Sequence, residues 1–347
     1  MWKKMCYFAG KITEREMNFT TTLLQWFKEN GRELPWRQTR NPYAVWLSEI
    51  ILQQTQVKQG WDYWVRFMRR WPTVEALAAA TEDEVLREWQ GLGYYSRARN
   101  LHAAARQIVD LGAFPTTLEG IKSLKGVGDY TAAAIGSIAF DLPAAVVDGN
   151  VYRVLARHYG IETPIDTTEG KKEFAALAQS LLPAGEASAY NQAIMDFGAM
   201  QCTPKSPCCT DCPLQLTCTA LREGRVGKLP VKLKTLKVKE RHLIYTYIRC
   251  QGYTAIRRRP AGDIWQGLYE PCQTAEPFPN AILLRHKQKH ILTHRIIYAD
   301  FYLLETAKRP LLPDGYLWIP ETDIDQYGVP RLVELLLEDI RSKFPAV

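Results

Sequence analysis

Four cysteines in a stretch of 17 residues, Cys202-x6-Cys209-x2-Cys212-x5-Cys218, constrain this chain more than any other feature. Thiolates at that spacing can converge on one metal centre without long intervening loops. Zinc accepts four cysteines, but usually from two short Cys-x2–4-Cys hooks. This array has one short hook flanked by long arms, and four cysteines are also the usual ligand set of a [4Fe–4S] cluster. Spacing therefore favours an iron–sulfur cluster and leaves zinc open, with Cys208 competing with its neighbour Cys209 as a ligand. Cys6, Cys250 and Cys272 are isolated and read as small buried hydrophobes. Clustered thiols suit a reducing compartment, so an intracellular, cytoplasmic protein is expected. The opening residues lack an apolar core before Lys11 and Glu14, unlike a signal peptide. No run approaches the ~20 apolar residues that span a bilayer, so no membrane role is expected.

The length, 347 residues, exceeds one typical domain. Hydrophobic residues make up 46% and charged ones 23%, a balance that argues for packed cores and against disorder. Lys and Arg number 44 against 37 Asp and Glu, a mild excess that favours an anionic partner. From Asn18 to Ala220 the pattern is helical. Thr81-x-x-Glu84 reads as a capping box, and further helices are expected over Tyr94–Gly112, Tyr130–Phe140, from Asp148, toward Leu182 and over Glu186–Met200. Residues 221–241, rich in Lys and Arg, read as a solvated basic linker. Period-two runs from His242 and from Arg295 predict half-buried strands, and Pro330 opens a closing helix, making 242–347 an α+β domain. Residues 1–17 form an N-terminal extension to which no role is assigned.

Two further patterns carry chemistry. In Leu124-Lys-Gly126-Val-Gly128-Asp-Tyr130, two glycines one residue apart permit a tight turn with N–H groups exposed at a helix start, suited to a phosphate. Alone, the same pattern equally describes an ordinary helix–helix turn. Asp148, in Val147-Asp148-Gly-Asn150-Val, reads as an N-cap. Glu49 sits among Trp46, Leu47, Ile50 and Ile51. If that face is buried, desolvation raises the carboxyl pKa toward the range a general acid needs near neutrality.

Taken together, these pieces resemble the endonuclease III superfamily of helix-hairpin-helix DNA glycosylases, and within it the MutY family of adenine DNA glycosylases. The resemblance rests on Leu34-Pro-Trp36-Arg37, Ser48-Glu49-Ile-Ile-Leu-Gln-Gln-Thr-Gln, Gly91-Leu-Gly-Tyr94-Tyr95-Ser-Arg97, Gly126-Val-Gly128-Asp-Tyr130, Val147-Asp148-Gly-Asn150-Val and the cysteine array. It implies a helix-hairpin-helix glycosylase fold over 18–220, with a [4Fe–4S] loop over 202–218 that uses Cys209 rather than Cys208. It also implies a Nudix-like lesion-recognition domain over 242–347, where Gly262-Asp-Ile-Trp265-Gln-Gly267-Leu matches and no Nudix metal-binding box is present.

The implied partner is duplex DNA with adenine opposite 8-oxoguanine or guanine, from which a monomer excises the adenine. Glu49 is implied as general acid, Asp148 as stabiliser of the sugar cation, and Tyr130 and Asn150 as their positioning groups. Tyr130 stands where bifunctional relatives carry a lysine nucleophile, so strand cleavage is not expected. Gly126 and Gly128 are implied in DNA binding, and Trp36 and Arg37 in the adenine pocket. Asp196 stands where the family often has Glu. Gln54, Tyr94, Thr293 and His294 are implied on the opposite-base side, although Leu292-Thr293 departs from the family's Phe-Ser.

Overall fold

The structure, a computed structural model, describes residues 14–233 and 238–344, with side chains from Asn18 onward. Most of the N-terminal extension, Cys6, and the linker cations Lys234 and Lys237 lie outside the described residues. The chain forms two compact units, each built from two separated segments. The first comprises the described parts of Met1–Gln53 and Gln107–Lys234; the second comprises those of Gln54–Arg106 and Thr235–Val347.

The first unit is helical. Its central helix, Pro42–Leu52, opens on Asn41, whose side chain accepts from the Tyr43 and Ala44 amides, with proline at the first position. That proline needs no hydrogen-bond partner and already has helical φ. Residues Tyr43 to Ile51 are all buried, so this helix has no wet face. A carboxylate at position 49 therefore has nowhere to go but inside. The helix Asp129–Phe140 packs against it. It also packs on helix Leu118–Lys122, where a Cβ added at Gly136 would stand 2.9 Å from Leu118. Helices Glu14–Asn30, Gly149–Tyr159, Thr168–Ser180 and Ala187–Asp196 surround a core of Phe19, Leu23, Leu155, Phe174, Tyr190 and Phe197.

One expected helix changes form. The sequence predicts one helix over Glu186–Met200, but α-helix ends at Asp196 and a π-helical turn spans Phe197–Gln201. Gly198 lies so close to Asn150 that a Cβ there would meet the Asn150 Cβ at 2.7 Å. The wider π turn is the kind of local irregularity found beside functional sites. The linker also differs from expectation in its first half. Leu229 is buried, Arg157 Nε donates to its carbonyl, and the Ile165 amide donates to Val231 O. Val226, Leu229 and Val231 thus pack on the core of the first unit, while most of residues 221–233 remain exposed.

The second unit joins helices Val57–Arg70, Val74–Ala79 and Glu82–Glu88 to a six-stranded sheet. The capping box is formed, with the Thr81 side chain accepting from the Glu84 amide and the Glu84 carboxylate accepting from the Thr81 amide. The strands are β1 (Lys239–Arg249), β2 (Tyr253–Arg258), β3 (Tyr269–Thr274), β4 (Ile282–Leu292), β5 (Arg295–Glu305) and β6 (Tyr316–Pro320), in the order β4-β5-β1-β3-β2-β6. Strands β1 and β5 run parallel in register from Lys239↔Arg295 to Arg249↔Glu305, and the other pairs are antiparallel. Helix Arg331–Lys343 covers one face, packing Leu332, Leu336 and Ile340 on Leu243, Tyr245, Phe301 and Leu303. Pro330 caps this helix, its carbonyl accepting from the Val333 and Glu334 amides. The fold is thus a mostly helical part plus an α+β part built on a six-stranded sheet.

Candidate active site

The carboxylates singled out in the sequence meet in the first unit. Glu49 is 8% exposed, and Tyr130 Oη donates to its Oε2 at 3.1 Å. Burial is the main force on Glu49, and with the negative field of Asp148 it pushes the carboxyl up to about 7; the Tyr130 hydrogen bond and Arg37 work in the opposite direction. The Tyr130 hydroxyl also lies 3.4 Å from Met195 Sδ, a contact no sequence motif signalled. Burial and the adjacent carboxylates hold the tyrosine well above its ordinary value, so it stays a hydrogen-bond donor.

Asp148 is indeed an N-cap. Its Oδ1 accepts from the Asn150 and Val151 amides at 2.8 and 2.7 Å, and its Oδ2 accepts from Asn150 Nδ2 at 2.9 Å. Burial raises its pKa against these donors. Three hydrogen bonds favour the ionised form and hold both oxygens in place. Arg153, absent from the sequence reading, extends the chain of contacts: its guanidinium donates to Asn150 Oδ1 at 2.8 Å and to the Cys202 carbonyl at 2.7 Å.

Beside this pair, Trp36 is buried in the turn Pro35–Arg37. Arg37 donates to both Asp196 oxygens at 2.7 and 2.8 Å and lies over the Phe27 ring. Arg32, also missed in the sequence, donates its backbone amide to Asp196 Oδ2 at 3.0 Å and its Nε to Oδ1 at 2.9 Å. Although burial alone would raise it, Asp196 is held below its ordinary pKa by these two arginines. The shorter carboxylate is thus committed to fixing two guanidinium groups. Gly126 takes φ +80° in the hairpin turn and Gly128 caps the helix Asp129–Phe140. Asp129 at the head of that helix is paired with Lys122.

Cys202, Cys209, Cys212 and Cys218 are all half-buried, whereas Cys208 is exposed and donates to Asp211 at 3.0 Å. Burial first, and then the neighbouring thiols of the set, push Cys209 and Cys218 up and Cys212 to about 11. Thiols crowded this way need a cation to ionise together, which fits a metal centre, and Cys208 stands outside the group. Among the described residues no group of three or more His, Cys, Asp or Glu side chains is placed to hold a metal ion. Arg157 is 3.4 Å from Cys202 Sγ and donates to the Thr203 and Pro204 carbonyls at 2.7 and 3.2 Å, bracing the loop from below. Lys205 and Arg222 are exposed beside it. Cys250 and Cys272 are buried, as expected of isolated cysteines.

The opposite-base candidates gather in the second unit. Gln54 and Tyr94 both adopt positive φ, +57° and +48°, a conformation costly for residues with side chains and concentrated at functional sites. Both are exposed. Tyr94 Oη is hydrogen-bonded to Thr293 Oγ1, joining positions 199 residues apart. His294 and Thr293 are exposed in the β4–β5 turn, while Leu292 is half-buried against the core. Arg97 ties the two loops from beneath, donating to Thr55 Oγ1 and to the Leu92 and Gly93 carbonyls; burial lowers its pKa to about 10.

Residues 47–183 match the family described as HhH-GPD superfamily base excision DNA repair protein, and residues 244–339 match the NUDIX domain. The chain is 44% identical to the adenine DNA glycosylase of Rattus norvegicus, over 61% of this chain and 44% of that protein, so it spans under half the length of that relative. It is 30% identical to the adenine DNA glycosylase of Buchnera aphidicola (subspecies Acyrthosiphon pisum), over 93% of this chain and 98% of that one. Among solved structures, a thermostable thymine-DNA glycosylase superposes with TM-score 0.57 and 30% identity, over 60% of this chain and 97% of its own. No helix among the described residues is long and apolar enough to cross a membrane. By its match along nearly its whole length to such a relative, the chain belongs to the adenine DNA glycosylase family.

Proposed function

We propose that this chain excises adenine mispaired with 8-oxoguanine, or with guanine, from duplex DNA by hydrolysing its N-glycosidic bond without cutting the strand. The observation that carries this reading is Glu49: a buried carboxyl raised to about 7, hydrogen-bonded to Tyr130 and within the field of Asp148. An acid that holds its proton near neutrality can give it to the base and take one back from water.

The adenine is flipped from the stack, at lower cost from a mispair than from a matched pair. Trp36 and Arg37 line its pocket, and Asp196 holds the Arg37 guanidinium from behind. Protonated Glu49 donates to the adenine as the bond to the sugar C1′ breaks, and the bonding electrons leave with the base. Asp148, both oxygens held by three donors, stabilises the positive charge left on the sugar. Water then adds to C1′, its proton passing to Glu49. General acid catalysis supplies about 3–5 kcal/mol of the ~8–23 kcal/mol that enzymes provide, so the cation must be stabilised as well. Tyr130 and Asn150 position the two carboxyls. A tyrosine forms no Schiff base at C1′, and this favours excision without a lyase step.

The Gly126 and Gly128 turn contacts phosphate, while Gln54, Tyr94, Thr293 and His294 read the opposite base. Cys202, Cys209, Cys212 and Cys218 hold a [4Fe–4S] cluster. When bound, the cluster supplies a covalent tie that folds the loop and presents Lys205 and Arg222 to the DNA. Such a protein acts inside the cell as a monomer.

The test is a panel of duplexes carrying A:8-oxoG, A:G, T:G, thymine glycol and uracil, each incubated and then treated with hot alkali. Alkali-dependent breaks at adenine in the first two are expected. Breaks only at thymine or uracil, or breaks without alkali, would overturn the reading.

A further inference from the structure

The sheet of the second unit has a face that helix Arg331–Lys343 does not cover. Along β1 and β5 this face carries the even-numbered residues, because the odd ones pack under the helix. At one end Ile248, Cys272 and Leu304 are roofed by Phe278, Leu312 and Trp318. Toward the β4–β5 turn the roof stops. There, Lys289 on β4 faces Tyr298 on β5, Tyr298 is in register with His242 on β1, and the two rings stack with centroids 5.2 Å apart and planes 23° apart. The next row toward the turn is Ile291 opposite Ile296, and Ile291 is 69% exposed.

Lys287, in the bulged part of β4, is exposed as well. Two acids share this face. Asp300 is occupied locally, accepting from the Lys287 amide at 2.6 Å and facing His286 Nδ1 at 3.0 Å. Glu240, in register with Ile296, is the other. A flat aromatic pair bordered by lysines and exposed isoleucine is costly to leave in water, and it suits a polyanion that presents sugar edges together with phosphate.

We propose that this open end of the sheet is a second DNA-contact surface, taking the phosphodiester backbone of the strand whose base is read at Thr293 and His294. The inference rests on that reading of the turn. Lys289 precedes Thr293 by four residues of extended strand, about 13 Å at ~3.3 Å per residue. Duplex DNA rises ~3.4 Å per nucleotide along one strand, so Lys289 meets phosphate about four nucleotides from the lesion. Lys287 continues the track outward. The surface contributes binding common to all sequences, and the turn contributes the choice of lesion.

The test is binding of the full chain to a short duplex with one A:8-oxoG pair and to its lesion-free counterpart, across about 50–200 mM salt. Each phosphate contact removed lowers the slope of log affinity against log salt by about 0.9. Lys287→Glu with Lys289→Glu should therefore flatten the slope by about 1.8 and weaken both duplexes about equally, with a loss roughly 12-fold larger at 50 mM than at 200 mM salt and an unchanged thermal melt. Lys287→Ala with Lys289→Ala should flatten the slope equally, which separates lost contacts from added repulsion.

Thr293→Ala with His294→Ala should keep the slope and lose only the preference for the lesion. An unchanged slope in both lysine variants overturns the proposal, as does wild-type protein that fails to bind the lesion-free duplex. If adenine excision itself proves wrong, the lysine variants still lose lesion-free binding, so the two failures are told apart.

Discussion

Glu49 stores free energy that its neighbours on the helix impose. Its carboxyl ordinarily titrates at 4.5 but is raised to about 7 here, chiefly by burial. Between those values the folded protein keeps a proton that the unfolded chain has lost, so stability falls as pH rises through this window. The penalty is fully present above the folded value and amounts to about 3 kcal/mol. Glu49→Gln removes the ionisable group while keeping its shape, so its melting temperature should exceed that of wild type at pH 8, with the gap closing toward pH 5. A gap equal at both pH values would mean that the carboxyl is not held neutral.

At this scale much was legible. A glutamate among Trp46, Leu47, Ile50 and Ile51 suggests a buried acid but is equally compatible with an exposed helical face, and the burial of Tyr43 through Ile51 decides between them. Its partner was not legible from composition or periodicity, since Tyr130 lies 81 positions away, and Met195, which the same hydroxyl touches, lies 65 positions beyond that. The carboxylate of Asp196 was read as a pocket group, but its commitment to Arg32 and Arg37 depends on a fold that brings positions 164 and 159 residues apart together.

Among elements, the π turn Phe197–Gln201 departs most from the sequence pattern, which is continuous through it. Periodicity reports apolar spacing and is silent about an approach as close as that of Gly198 to Asn150. Gly198→Ala should cost about 1–3 kcal/mol of stability by overpacking and should slow excision, because it displaces the residue that donates to Asp148. Thermal melting and single-turnover rates check this; wild-type values for both would show that the neighbour yields freely.

The cysteine loop makes a second expectation. Cys209→Ser should yield colourless protein with depleted iron, while Cys208→Ser, whose thiol turns to Asp211, should stay brown with full iron content. Iron loss in the second variant rather than the first would reverse the ligand assignment. The strands divide similarly. Alternation marks β1 and β5, each buried on one face against the closing helix. The bulged edge strand β4, largely exposed through Arg285-His-Lys-Gln-Lys, gives no such signal.

Across the whole molecule, the division of chemistry follows the compact units more closely than it follows chain order. The first unit contains Glu49, Asp148, Tyr130 and the cysteines; the second contains Gln54, Tyr94, Thr293 and His294. A linear reading assigns residues 18–220 to one body, because helical periodicity continues from one segment to the next. It contains no signal that Gln54–Arg106 packs with strands beginning at Lys239. The boundary falls between Gln53 and Gln54, inside the motif that also carries Glu49, so one short segment feeds both units. The measurement that tests the proposed chemistry most directly is single-turnover excision from an A:8-oxoG duplex by wild type and Glu49→Gln, with binding to the same duplex measured in parallel. Tight binding by both proteins, with excision by wild type alone, is the expected result; excision retained in Glu49→Gln would contradict the assignment of the acid.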